Sequence, residues 1–411
     1  MAKTNRLPLL IKLNTTIIRF MKIKLSLFII GQLLFLSATA QTEQLPVKKI
    51  IELAEKQYQS YVDQFPDSTQ HLYSIRPNSN IQAVTYKDWT SGFFPGCLWY
   101  LYDFTNDKKW EADAKKWTAT LEPAKLVTTM HDLGFILFCS FGNGYLITKN
   151  DSYKNILLQG AKSLSTRFNP TVGSIKSWDN GPWHYPVIVD NLMNLELLFW
   201  AAQTFHDTSF LHISVSHLNN DIKYRFREDG STFHVLDFDP SSGKLLAKKT
   251  WQGYSDSSCW ARGQAWAIYG FTMAYRYTNN KEYLQYAKKA ANYFIEQINK
   301  IDDHVPYWDF NDPAIPNTER DVSAASIAAS ALLELSEFDP VTKTNYYNAA
   351  VDILKSLCSN TYLAAPGTNH DFLLQHGVVN KPGGKGIDVP LIYADYYFLQ
   401  ALWLYQQYPK K

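Results

Sequence analysis

Cysteine is scarce: the chain holds four, Cys97, Cys139, Cys259 and Cys358, far apart and each in an apolar or aromatic setting. No C-x-x-C pair occurs, which argues against a thiol-ligated metal or a redox dithiol. Buried free thiols are the expectation, although export would permit two of them to pair. Also missing are a phosphate loop, an H-E-x-x-H pair and a G-x-S-x-G elbow. Nucleotide, zinc-protease and serine-hydrolase chemistry therefore have no footing. The Gly-rich stretch Lys381 to Gly386 lacks the trailing Ser or Thr of a nucleotide loop. Long alternating runs are absent too, so an all-β fold is excluded. An excess of either charge is lacking, with 40 basic against 38 acidic residues.

That balance shifts once the N-terminus is considered. Residues 21–40 read as a basic start, an apolar run and Ala38-Thr39-Ala40 before Gln41, the pattern of a secretory signal peptide. The run is short for a membrane span. Residues 1–20 look like an extension from an earlier start codon. The expected domains are thus a cleaved segment 1–40 and a mature segment 41–411, periplasmic or secreted, with no stable membrane span. Removing 1–40 takes away six basic residues and no acid, leaving 34 basic against 38 acidic, a net charge of about −4. No basic footprint for nucleic acid remains.

What is abundant is aromatic: 12 Trp, 26 Tyr and 23 Phe. Aromatics fill large helical cores, and they also line sugar-binding clefts. The mature chain reads as helical almost throughout, and one unit recurs. A helix ends in aromatics, a short turn carries Asp or Asn, and an aromatic opens a second helix, as at Tyr102-Asp103…Asn106-Asp107…Trp110 and Tyr277…Asn279-Asn280…Tyr283. Five such copies are a repeat architecture. The expected helices are 44–63, 93–104, 107–119, 131–147, 150–166, 187–206, 208–225, 260–277, 280–298, 321–337, 341–358 and 391–407. Apolar and half-polar helices alternate, which describes an all-α fold, an (α/α)6 barrel in one domain. The short turns would lie at one end. Long loops would bring the ionisable and aromatic residues, with six positive helix ends, to the other, a setting for an anionic ligand.

Two carboxylates stand out there. Asp132, in His131-Asp132-Leu133-Gly134-Phe135, and Asp190, in Asp190-Asn191-Leu192-Met193-Asn194, each open an inner helix. Each has a capping reading. As neighbours facing one axis they also suit paired acid–base work on a glycosidic substrate. A carboxyl walled by Trp178, Trp183 and Tyr185 should have a raised pKa. Arg262 reads equally as an ion pair or as a substrate-positioning group, and His234 alone reads as a surface residue. Capping is expected of Asp256, Asp321 and Asp388.

Trp89-Thr90-Ser91-Gly92-Phe93, His131 to Phe135, Asp190 to Asn194, Gln252-Gly253-Tyr254 and Trp260-Ala261-Arg262-Gly263-Gln264-Ala265-Trp266 resemble the unsaturated glucuronyl hydrolases, glycoside hydrolase family 88. The resemblance runs in order over most of the mature chain and implies the same (α/α)6 fold. It implies a small unsaturated oligosaccharide as substrate, no metal or organic cofactor, and action as a monomer or weak homodimer. By resemblance, Asp190 is the general acid/base and Asp132 the second essential acid. His234, Gln252, Arg262 and Trp266 support Asp190 and the sugar ring, while Trp89 and Phe93 shape a stacking wall. His131, Trp178 and Trp183 complete the substrate site. Members that take sulfated glycosaminoglycan disaccharides use Ser and Lys before the last inner helix. Here Asn380-Lys381-Pro382-Gly383-Gly384-Lys385-Gly386 supplies Lys381 and Lys385 but no serine. A related group acting on unsaturated rhamnogalacturonan fragments, and a non-catalytic glycan-binding protein of the same fold, are the alternatives.

Overall fold

The computed structural model describes residues 44–77 and 80–407. The expected segment 1–40 lies outside them. From Pro46 onward the chain forms one compact unit. Its helices are α1 (Val47–Gln64), α2 (Phe93–Thr105), α3 (Lys108–Ala119), α4 (π-helical Gly134–Gly142 running into α-helical Asn143–Thr148), α5 (Ser152–Ser165) and α6 (Asn191–Phe205). There follow α7 (Thr208–Tyr224), α8 (Ala261–Thr278), α9 (Lys281–Ile298), α10 (Val322–Phe338), α11 (Lys343–Leu357) and α12 (Ile392–Gln407).

The even-numbered helices pack each against the next and close a ring, α2 to α4, α6, α8, α10, α12 and back to α2. The odd-numbered helices lie outside it, α3, α5, α7, α9 and α11 each against the inner helix before it and α1 against α2. This is the expected (α/α)6 barrel. The recurrent polar turn makes it. Asn106, Lys149, His206 and Asn279 take the left-handed conformation and end the inner helices. The residue that follows then caps the outer one: Asp107 accepts from the Lys109 amide, Asp207 from Ser209 and Asn280 from Glu282. Aromatic–small pairs such as Trp110/Ala114, Phe210/Ser214 and Tyr283/Ala287 are buried on the inward faces of those outer helices.

Two expectations are corrected. Helix 131–147 starts at Gly134 and is π-helical for its first nine residues, which leaves His131 and Asp132 in the turn before it. The fold also contains strands, all of two to five residues and confined to the loops. They are β1 (His71–Ile75), β2 (Ile81–Val84), β3 (Phe168–Asn169), β4 (Ser174–Ile175), β5 (Pro186–Ile188), β6 (Val235–Phe238), β7 (Leu245–Lys249), β8 (Gly377–Asn380) and β9 (Lys385–Val389). They form three hairpins, β1–β2, β3–β4 and β8–β9, and one antiparallel sheet, β5–β6–β7. The four cysteines are free, three of them buried.

Across the bore, Phe93, Phe135, Trp266, Tyr393 and Tyr397 stack into a plug. Ring centres are 5.2 Å apart for Phe135 and Trp266, 5.3 Å for Trp266 and Tyr397, and 6.0 Å for Phe93 and Tyr397. On the long-loop side is a cleft of about 540 Å³. Beyond the plug, a separate chamber of about 440 Å³ opens among the inner-helix ends that the short turns follow.

Candidate active site

The sheet places the first acid. β5 and β6 are antiparallel with Ile188 opposite Val235, and the Val189 amide donates to the His234 carbonyl at 3.0 Å. That register sets Asp190, at the end of the strand, against the His234 ring, with Oδ2 3.7 Å from Nε2. Arg225 locks the pair from behind, donating to the carbonyls of Val187 and His234 and to Asp221. Both backbone amides of Trp251 and Gln252 donate to His234 Nδ1, at 3.2 and 3.3 Å. A ring nitrogen that accepts twice is unprotonated, so the proton sits on Nε2 and faces Asp190. Burial, with the charges of Arg225 and Arg262, pushes the His234 pKa well below its usual range and keeps the ring neutral.

Asp190 is not a cap. Its side chain makes no capping bond to α6, it is only 8% exposed, and Oδ2 has no hydrogen-bond partner among the described residues. Burial raises its carboxyl pKa to about 6, against the opposing charges of Arg262 and Arg225. The Trp266 indole beside it also favours the anion, without a completed hydrogen bond.

Asp132 stands in the turn before α4, with His131 Nε2 3.4 Å from its Oδ1. Burial raises its pKa well above the usual range, and the charges of Asp190 and Asp88 raise it further. The charge of Asp190 thus favours the protonated form of Asp132. Their segments touch at Gly134, where a Cβ would lie 2.5 Å from the Asn194 Cα. No other residue fits there without moving backbone.

The rim is aromatic. Trp178 and Trp183 line the cleft, as does Trp251, with ring centres 6.4 and 5.9 Å from theirs. Trp251 is 47% exposed and is a functional candidate that the sequence reading missed, although it precedes the quoted Gln252. Asn180 and Asn380 were missed too. Trp89, His131, Asp132, Asp190, Gln252, Arg262 and Lys385 complete the lining that the sequence reading named.

Other expectations change place. Phe93, expected in the stacking wall, is fully buried in the plug and backs Trp89, while Trp266, expected to support Asp190, is fully buried there and lies beside it. His234 lies behind Asp190, not at the surface. Tyr185 is not a wall either: it packs in the apolar cluster under the sheet, and its hydroxyl donates to the carbonyls of Arg167 and Ser174. Arg262 makes the ion pair that one of its two readings expected. It lines the cleft, pairs with Asp321 at 2.8 Å, and donates to Val378 and Val379 of β8. Gln252 donates to Val379 as well, so the β8–β9 hairpin is latched along one side of the cleft. Asp321 caps α10 through the Ser323 amide. Asp256 accepts from the Thr250 amide, and Asp388 from His376. Lys381 is withdrawn from the cleft, paired with Glu319 and Asp312. Lys385 is exposed at the rim with no ion-pair partner among the described residues. Among those residues no cluster of His, Cys, Asp or Glu is arranged to hold a metal ion, and no helix is long and apolar enough to cross a membrane.

A cleft with coupled buried acids and aromatic walls, on a six-hairpin barrel, defines a glycosidase. Comparison with known proteins narrows the class. The sequence profile of Glycosyl Hydrolase Family 88 matches residues 53–308, and the chain belongs to that family. It is 43% identical to an unsaturated glucuronyl hydrolase of Formosa agariphila over 90% of this chain and 95% of that one. It is 33% identical to an unsaturated chondroitin disaccharide hydrolase of Streptococcus agalactiae over 90% and 93%. Among solved structures, an unsaturated glucuronyl hydrolase specific for heparin superposes with a TM-score of 0.85 at 42% identity, covering 88% of this chain and 96% of that one.

Proposed function

We propose that this enzyme removes the terminal 4,5-unsaturated uronic acid from lyase-generated glycosaminoglycan oligosaccharides of heparin or chondroitin type. The observation that carries the reading is the pair of acids Asp132 and Asp190 lining one aromatic cleft, both with carboxyl pKa values raised by burial. Asp190 gives its proton to C4 while the double-bond electrons form the new C4–H bond. The cation left at C5 is stabilised by the ring oxygen. Water adds to C5 and loses a proton to the Asp190 carboxylate, which restores the acid. The C5 hemiketal then opens, and the hemiacetal left at C1 collapses and frees the downstream sugar. Trp89 and the three rim tryptophans offer faces to the sugars, and Lys385 offers a cation to a downstream sulfate or carboxylate. Action as a monomer or weak homodimer is part of the proposal, and light scattering of the purified protein checks it. The pattern of residues 21–40 supports export to the periplasm or beyond as part of the proposal; N-terminal sequencing of exported protein should begin at Gln41.

The test is isotopic. In deuterium oxide the product gains deuterium at C4, and in ¹⁸O-water the label enters at C5, read by mass spectrometry after the carbonyl is trapped. Label at C1 with the double bond intact would establish direct hydrolysis. A panel of unsaturated heparin, chondroitin and rhamnogalacturonan disaccharides completes it. Turnover of the last alone would favour the rhamnogalacturonan alternative, and turnover of none a binding protein.

The two lysines separate by the same panel. An exposed ion pair contributes up to about 1 kcal/mol, so Lys385→Ala should raise KM for sulfated disaccharides by about 2–5-fold and leave unsulfated ones unchanged. Lys381→Ala should instead lower the melting temperature with little change in KM. Equal KM effects on sulfated and unsulfated substrates would remove Lys385 from recognition.

A further inference from the structure

The loop that carries Trp178 has no helix or strand of its own: residues 176–185 run irregularly between β4 and β5. A wall residue on such a loop depends on side chains that fix its backbone. Two do so here. The Ser177 hydroxyl accepts from the Ile188 amide at 2.8 Å and donates to Asn191 Oδ1 at 2.7 Å, which ties the neighbour of Trp178 to both flanks of Asp190. On the other side is Arg167, between α5 and β3, with a side chain only 5% exposed. Its Nε donates to the Lys176 carbonyl at 2.8 Å, and Nη2 to the Ser177 carbonyl at 3.3 Å. Nη1 and Nη2 together grip the Asp179 carboxylate, at 2.9 and 3.1 Å. Nη1 also donates to the Thr128 carbonyl at 2.8 Å, three residues before His131. The guanidinium thus holds the backbone before Trp178 and the side chain after it. Its Thr128 contact anchors that grip to the segment leading into Asp132.

We propose that Arg167 is a positioning residue for sugar binding: its guanidinium clamps the chain around Trp178 and presents that indole to the substrate at a set distance from Asp190. The proposal rests on the reading of Trp178 as part of the sugar-facing wall. Trp178 lines the cleft, and its ring meets that of His234 at right angles with centres 6.1 Å apart, so its place is tied to the group behind Asp190. Arginine suits the task. The five contacts match the five N–H groups of one planar fork. A lysine carries three donors on a single atom and cannot span Thr128, Ser177 and both oxygens of Asp179. It does keep the positive charge beside His131 and Asp132. Arg167→Lys therefore separates the clamp from the charge.

The experiment is a double-mutant cycle read on an unsaturated disaccharide. Trp178→Ala should raise KM by about 2–10-fold, the scale of one aromatic contact. Arg167→Lys should raise KM within that range and leave kcat near the wild-type value. The double variant should match Trp178→Ala to within about twofold, because a clamp with no indole to hold has no further effect. If Arg167→Lys does not fold, Asp179→Ala takes its place in the cycle. That change, at a side chain 49% exposed, removes the acceptor of two of the five contacts. If Trp178→Ala raises KM while the folded clamp variant keeps the wild-type value, the proposal is overturned and the reading of the wall stands. If Trp178→Ala itself leaves KM unchanged, that reading fails and the proposal with it. KM effects that multiply in the double variant, or a fall in kcat alone, would make Arg167 a general brace and overturn its role at Trp178.

Discussion

Asp190→Asn is expected to lose about 10²–10⁴-fold in kcat, the usual contribution of a general acid–base group, while binding of the unsaturated disaccharide persists. The asparagine matches aspartate in shape, so the cleft, the His234 contact and the start of α6 are retained. What disappears is a proton that can be given up and recovered. Stability should not suffer, because burial already makes this carboxyl reluctant to ionise, with a pKa of about 6. The checks are kcat and KM on an unsaturated disaccharide, ligand binding by calorimetry, and a melting curve. A folded variant with near-wild-type kcat would remove Asp190 from the chemistry.

Asp132→Asn should be severely impaired by a different route, with kcat down by about 10²-fold or more at neutral pH. The substitution leaves Asp190 protonatable and removes the acid that the charge of Asp190 raises. Asp190 keeps its pKa of about 6, so part of the lost rate should return as the assay pH is lowered toward that value, which cannot happen for Asp190→Asn. That contrast identifies the donor. Full activity with an unchanged profile would show that the two acids are not coupled.

The barrel was legible because its punctuation is chemical. An Asn, Lys or His that accepts the left-handed conformation, followed by a capping Asp or Asn, marks the inner-to-outer turns at 106–107, 149–150, 206–207 and 279–280. Strands β3 to β6 escaped because two to four residues carry too little alternation to show. The π-helical opening of α4 escaped because Gly134–Gly142 is buried on every side and has no polar face to set a period. Within the site, Asp132 and Asp190 were visible as acids at the head of apolar helices. Depth was not visible: Phe93 and Trp89 lie four residues apart, yet one is buried in the plug and the other lines the cleft. Lys381 and Lys385 look alike in sequence and differ only in that Glu319 and Asp312 claim the first. His234 gained its place from a strand register that no local pattern announces.

The aromatic plug makes the cleft a cul-de-sac. A polysaccharide cannot be threaded through the ring, since Phe93, Phe135, Trp266 and Tyr397 bar the passage to the chamber beyond. A sugar chain must therefore enter tip first, and whatever follows its leading unit stays in the mouth or in solvent. Length of the remainder should matter little to turnover. The freed leading unit lies deepest, with the departing remainder in front of it, so the two products leave in a fixed order, outer before inner. The next chain is admitted only after the inner product has backed out by the way it came.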